Sequence, residues 1–182
     1  MEYVATRVDN ERVPWEDSEL LQHSGLYVIE GSGDLGMAGE ALIGTWRLES
    51  FAFTDEAGSV FHPLGERLTG FLLISAEGYL ALNFMAGERS RFAHDDLFGG
   101  NVAERAQAAA EVVSFAGPFE YNGAAVSVMV EYSIYPNWIG QTQVREVELS
   151  EDTLILRTRG AKKFGGSLRQ GEARLVRASF DR

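Results

Sequence analysis

The sequence predicts a mainly all-β chain: an antiparallel barrel of eight or nine strands with one helix and an N-terminal extension. Three observations predict it. Runs of β-branched and aromatic residues recur from Leu42 to Ser179, separated by short turn clusters. Asn122-Gly123, the strongest local hairpin cue, sits between two of those runs. Hydrophobic residues make up 45% of the 182-residue chain and aromatics 11%, enough for a sizeable core.

The extension comes first, over residues 1–41. PWEDSELLQ suits a short helix with Pro14 near its first turn, and GLYVIE, Gly25 to Glu30, suits a short strand. The Gly-rich run from Glu30 to Gly39 reads as a linker. Trp15, Leu20, Leu21, Leu26, Tyr27 and Ile29 give the segment apolar content, so it is expected to dock, as a candidate lid. The division expected is therefore 1–41 as extension and 42–182 as barrel.

Within the barrel, LIGTWRLESFAFT is rich in strand formers and ends at the turn Asp55–Gly58. GFLLIS, Gly70 to Ser75, meets YLALNFM, Tyr79 to Met85, across a tight turn. Asn101 to Ala116 is alanine-rich with Asn101 as its N-cap, and is the one main helix expected. The polar stretch from Ala86 to Gly100 before it is long for a loop, a length often tied to function. Gln141–Leu149, a turn, and Thr153–Arg159 form another hairpin, and Glu172–Ser179 closes the series. A meander of this kind removes its exposed edges by curling into a barrel. About eight strands leave an interior wide enough for one small ligand.

Charge and composition narrow the function classes. The net charge is −11, which disfavours binding to nucleic acid or to an anionic membrane surface. Cysteine is absent, which excludes thiol catalysis and fits a reducing, cytoplasmic setting. The start carries early acids and no apolar h-region, so it does not read as a secretory signal. His23, His62 and His94 lie in separate segments without ligand spacing, so neither a metal nor a cofactor is expected. No nucleophile motif or phosphate loop occurs, and Asp95-Asp96 read as solvated loop acids.

Side chains alternate along a strand. In Gln141–Leu149, Glu146 and Glu148 share one face, which reads as solvent. Gln143, Arg145, Val147 and Leu149 then point inward. In Ala125–Tyr135 the face Val126, Val128, Val130, Tyr132, Ile134 is nearly all apolar and reads as lining. Leu154, Leu156 and Thr158 read as inward, Arg157 and Arg159 as outward. An inward arginine needs either a barrel carboxylate, such as Glu49 or Glu131, or an anionic group on a ligand. The candidate catalytic residues are thus Arg145 and Gln143, with Trp46, Tyr79, Asn83, Val128, Tyr132, Tyr135 and Trp138 as candidate substrate contacts.

Two motifs carry a family resemblance. Gly44-Thr45-Trp46 resembles the G-x-W signature of lipocalins, in which the Trp plugs one barrel end beneath an arginine. Arg174 or Arg177 is suitably placed for that role. Glu131 to Thr158 resembles the P-N-W-x-G block of the bacterial and fungal lipocalin-like domain family. Ser133, Pro136, Asn137, Trp138, Gly140, Gln143, Arg145, Leu154 and Leu156 match it. The resemblance extends from about Leu42 to Arg159. Where many members carry a His before P-N-W, this chain has Val128 and Met129, and residues 1–41 exceed the usual family start.

Members often accompany polyketide and other natural-product pathways, so the resemblance implies a lipocalin-like barrel acting on a hydrophobic small molecule. Two functions fit. One is a cofactor-independent cyclase that folds a polyketide-like chain for cycloaddition or a related ring closure. The other is a non-catalytic carrier or resistance protein for such a compound. A homodimer is compatible with either.

Overall fold

The computed structural model describes residues 39–179, so the extension, with its expected helix, strand and lid role, lies outside the described residues apart from 39–41. Eleven strands and one helix follow in order: β1 (Gly44–Thr54), β2 (Val60–Phe61), β3 (Leu68–Ile74), β4 (Tyr79–Ala86), α1 (Val102–Ala110), β5 (Val112–Tyr121), β6 (Ala125–Met129), β7 (Tyr132–Ser133), β8 (Thr142–Leu149), β9 (Thr153–Thr158), β10 (Lys162–Phe164) and β11 (Ser167–Arg177). Eight of them, β1-β3-β4-β5-β6-β8-β9-β11, pair in that order, and β11 returns to β1 to close the barrel. The three short strands are accessory: β2 adds to β1, β10 to β11 and β7 to β5. Among the described residues no helix is long and apolar enough to cross a membrane.

The hairpins follow the turn chemistry. At the β5–β6 turn Asn122 accepts from the backbone of Ala124 and Ala125 while Gly123 takes φ +88°. The helix is shorter than expected. Asn101 does cap it: its side chain accepts from Glu104 N at 3.0 Å, and Glu104 accepts from Asn101 N at 2.7 Å. These backbone donors, Asn101 first and then Ala93, hold the Glu104 carboxyl below its usual value. Yet the helix ends at Ala110, and the rest of the expected span opens β5, beginning with Val112 and Val113. Two adjacent β-branched residues and a partner strand in β4 outweigh the alanine run there.

One irregularity aims the barrel interior. The register between β1 and β11 slips between Leu48 and Ser50. Before the slip the inward residues are Trp46 and Leu48; after it, Phe53 is buried and Phe51 packs against the core. An extra residue in one strand shifts its alternation by one. The bulge therefore brings two phenylalanines into the far half of the barrel.

The two ends differ. At one, Trp46 is fully buried, donates from Nε1 to Leu42 O at 2.8 Å, and lies 4.1 Å beneath the Arg177 guanidinium. Arg177 in turn donates to the carbonyls of Ile43 and Ala41. Arg177, not Arg174, is thus the arginine over the indole; Arg174 pairs with Glu49 at 3.1 Å. The other end carries the longer connections: β1–β3, the loop and helix between β4 and β5, the β6–β8 segment, and the β10 excursion.

Candidate functional site

A cavity lies in the half of the barrel away from Trp46. Its walls are Phe51 and Phe53 from β1, Leu82 and Phe84 from β4, and Val113 and Phe115 from β5. Arg145 from β8, Leu156 and Thr158 from β9, and Gly171 and Ala173 from β11 complete the ring. Trp138 and Phe164 reach in from the connections. The rings meet edge-on: Phe51 and Phe84 at 5.5 Å, Phe115 and Trp138 at 5.6 Å.

The space they leave is about 40 Å³. This corrects the expected chamber for a whole ligand, because such a volume holds only a few waters. The reason is side-chain size. Trp46, Leu72, Leu80, Val126, Val128, Leu154 and Leu175 are fully buried and take up most of the interior. Around the cavity, phenylalanines occupy facing positions. A larger guest therefore requires Phe51, Phe84, Phe115 or Trp138 to change rotamer.

Arg145 is the one charged side chain among the cavity walls. Strand alternation points it inward, with Glu146 and Glu148 exposed on the opposite face. Nη1 donates to Val144 O at 2.8 Å and Nη2 to Gln143 Oε1 at 3.4 Å. The guanidinium carbon is 6.0 Å from the Phe115 ring centre. Among the described residues no carboxylate pairs with it. Glu49 is engaged by Arg174, and Glu131 accepts from the Tyr79 hydroxyl at 2.9 Å. Desolvation pushes the Arg145 guanidinium down to about 10. By contrast, Arg157, on the outer face, is held up by its hydrogen bonds to Glu148 and Glu172. At neutral pH Arg145 remains a cation.

The other residues singled out in the sequence are spread more widely. Trp138 lines the cavity, held in a 3₁₀ turn, Pro136–Trp138, and packed edge-on against Phe115 and Tyr135. Gln143 stands behind Arg145 as its acceptor. Trp46 and Val128 are buried in the core, outside the cavity lining. Asn83 accepts from Ser114 Oγ at 2.8 Å, on the opposite face of β4 from Leu82 and Phe84. Tyr79, Tyr132 and Tyr135 are exposed. The Tyr132 position differs from the expected apolar face because β6 ends at Met129 and the chain then switches to pair with β5 through β7. Burial, followed by its hydrogen bond to Glu131, raises the Tyr79 phenol above its usual value.

Sequence reasoning missed Phe51, Phe53, Phe84, Phe115 and Phe164. Phe84 was within reach, since Leu80, Leu82 and Phe84 alternate on β4. Phe51 and Phe53 depend on the bulge, and Phe164 on a three-residue strand, neither of which has a clear pattern. Among the described residues no group of three His, Asp or Glu stands close enough to hold a metal ion.

The family model for the lipocalin-like domain matches residues 43–178. No curated protein and no solved structure matches the chain. The match spans the whole closed barrel, from the strand bearing Gly44-Thr45-Trp46 to the strand bearing Arg177. The chain belongs to the lipocalin-like domain family.

Proposed function

We propose that this barrel takes up a mostly apolar small molecule between Trp138 and Arg145 and closes a ring in it without a cofactor. The substrate is a flexible, polyketide-like intermediate of natural-product biosynthesis in the cytoplasm. The observation that carries the reading is the Arg145 guanidinium, presented into an aromatic-walled cavity with no carboxylate partner among the described residues. A charge left this way is costly to the fold and is kept where a guest uses it.

The chemistry asks little of the protein. Intramolecular cycloaddition exchanges carbon–carbon π bonds for σ bonds, and no atom or electron enters or leaves. What limits it is the entropy of folding the chain and the charge that shifts onto a carbonyl. Aromatic walls that close on the guest address the first. A guanidinium donor on the carbonyl oxygen addresses the second, with Gln143 orienting Arg145. The compactness of the empty site fits a pocket that opens by side-chain rotation and packs tightly around its guest.

A second reading, carrier or resistance binder, draws on the same geometry: Arg145 and Thr158 are the polar side chains in the lining, which suits anchoring as well as turnover. The test is to incubate the protein with a linear triene bearing an α,β-unsaturated ketone and to follow cyclised product. Wild type is expected to exceed the uncatalysed rate, and Arg145→Met to lose about 100-fold of that acceleration. Binding of the trienone without acceleration by wild type supports the carrier instead.

A further inference from the structure

The described residues hold five distinct Arg–Glu contacts, made by Arg67, Arg89, Arg157 (twice) and Arg174. All four of these arginines keep about a third or more of their side-chain surface in solvent, where a partner contributes little. Arg145, the arginine in the apolar interior, is the one for which a counter-charge matters most, and it has none among these residues. This occurs in a chain with an excess of acids, so carboxylates are not scarce. Val147 and Leu149 lie beside Arg145 on the inward face of β8, and on β9 the inward neighbours are Leu154, Leu156 and Thr158.

The guanidinium is also held for a guest. One nitrogen is fixed by a backbone carbonyl and another by Gln143, which leaves Arg145's remaining N–H donors unused by these residues. A planar fork with N–H donors to spare matches two oxygens that share one negative charge. Much of the wall around it is flat as well: Phe51, Phe84, Phe115 and Trp138 present rings, beside the branched Leu82, Val113 and Leu156. Flat conjugated hydrocarbon stacks on such surfaces.

Resting on the reading that this cavity binds a small molecule, we infer that its ligand is an organic monoanion. Two oxygens sharing the charge, as in a carboxylate or an enolised β-dicarbonyl, sit on Arg145, and a conjugated body lies among the aromatic rings. The exposed acids that make up the net charge slow an anion's approach, but salt at physiological strength screens them over about 8 Å. Inside the cavity the guanidinium is the near charge.

The experiment compares cis-parinaric acid, a fluorescent conjugated carboxylate, with its methyl ester at neutral pH. Wild type is expected to bind the acid about tenfold or more tightly than the ester. Arg145→Met is expected to bind both alike, and Arg145→Lys to retain part of the preference. If wild type holds the ester as tightly as the acid, the anionic ligand is wrong while the pocket stands. If Arg145→Met keeps the full preference, another cation is responsible and the inference falls. If wild type binds neither, the small-molecule reading itself falls with it.

Discussion

Trp46→Ala is expected to lower the unfolding midpoint by about 10 °C or more in a thermal scan. The indole is fully buried at the plugged end, and emptying such a site costs about 3–5 kcal/mol. More is lost because the ring is the surface on which Arg177 rests at 4.1 Å. Arg177 also donates to Ile43 and Ala41, so it ties the last barrel strand to the entry of the first. For a domain of this size about 4 kcal/mol corresponds to a shift of that order. Arg177→Ala is expected to cost less than half as much, because the indole would still fill the end. If the two variants lose equal stability, the plug works through the cation and not through the ring.

Gly117→Ala is expected to be the most damaging single methyl group in the barrel. A Cβ at this position would stand 1.8 Å from the carbonyl oxygen of Met129, well inside any real contact. The neighbour is backbone, and it sits where β6 ends and the chain turns through Val130 to Glu131. Val130 is itself pinned, donating to Gln141 O and accepting from Gly140 N at 2.8 Å, while Glu131 donates to Ala116 O. Neither side can yield without breaking the ladder. A cost above about 3 kcal/mol follows, out of a total of about 5–15 kcal/mol for a domain. The same crossover delivers the Pro136–Trp138 turn to the cavity. Urea melts should therefore show a lowered midpoint, and fluorescence should show Trp138 more exposed. An unchanged midpoint would mean that β6 and β5 separate more easily than their pairing implies.

How much of this was readable beforehand can be traced residue by residue. The hairpins were legible because Asn122-Gly123 and the period-two runs are local signals. The inward aim of Arg145 was legible because two acids, Glu146 and Glu148, marked the opposite face of its strand. The Trp46 plug was legible only through a family motif, and the choice of Arg177 over Arg174 needed the register with β1. The helix was overextended because alanine propensity is local, whereas the pairing of Val112–Phe115 with β4 is not. The Tyr132 face differs for a related reason: period-two patterning carries no sign of the backbone switch after Met129. The size of the cavity was out of reach. It depends on which large side chains meet across the barrel, and a one-residue bulge in β1 decides that for Phe51 and Phe53.

One end is sealed by a ring and a cation that satisfy each other. The other end holds a cation among rings with no counter-charge among the described residues, in a space of about 40 Å³. The first arrangement stabilises; the second is tolerated. The shift of Arg145 to about 10 corresponds to roughly 3 kcal/mol against its charged form. Because the folded value lies below the unfolded one, that cost is present in full below about pH 10 and is relieved as pH rises through it.

The most direct measurement is the urea midpoint of ligand-free Arg145→Met against wild type. Methionine is apolar, flexible and of similar length, so it can occupy the same space without a charge to desolvate. If Arg145 is kept for a guest, the variant unfolds at the same or a higher urea concentration, by up to about 3 kcal/mol, with unchanged slope. A fall of more than about 1 kcal/mol would contradict this, because it would make Arg145 a part of the scaffold.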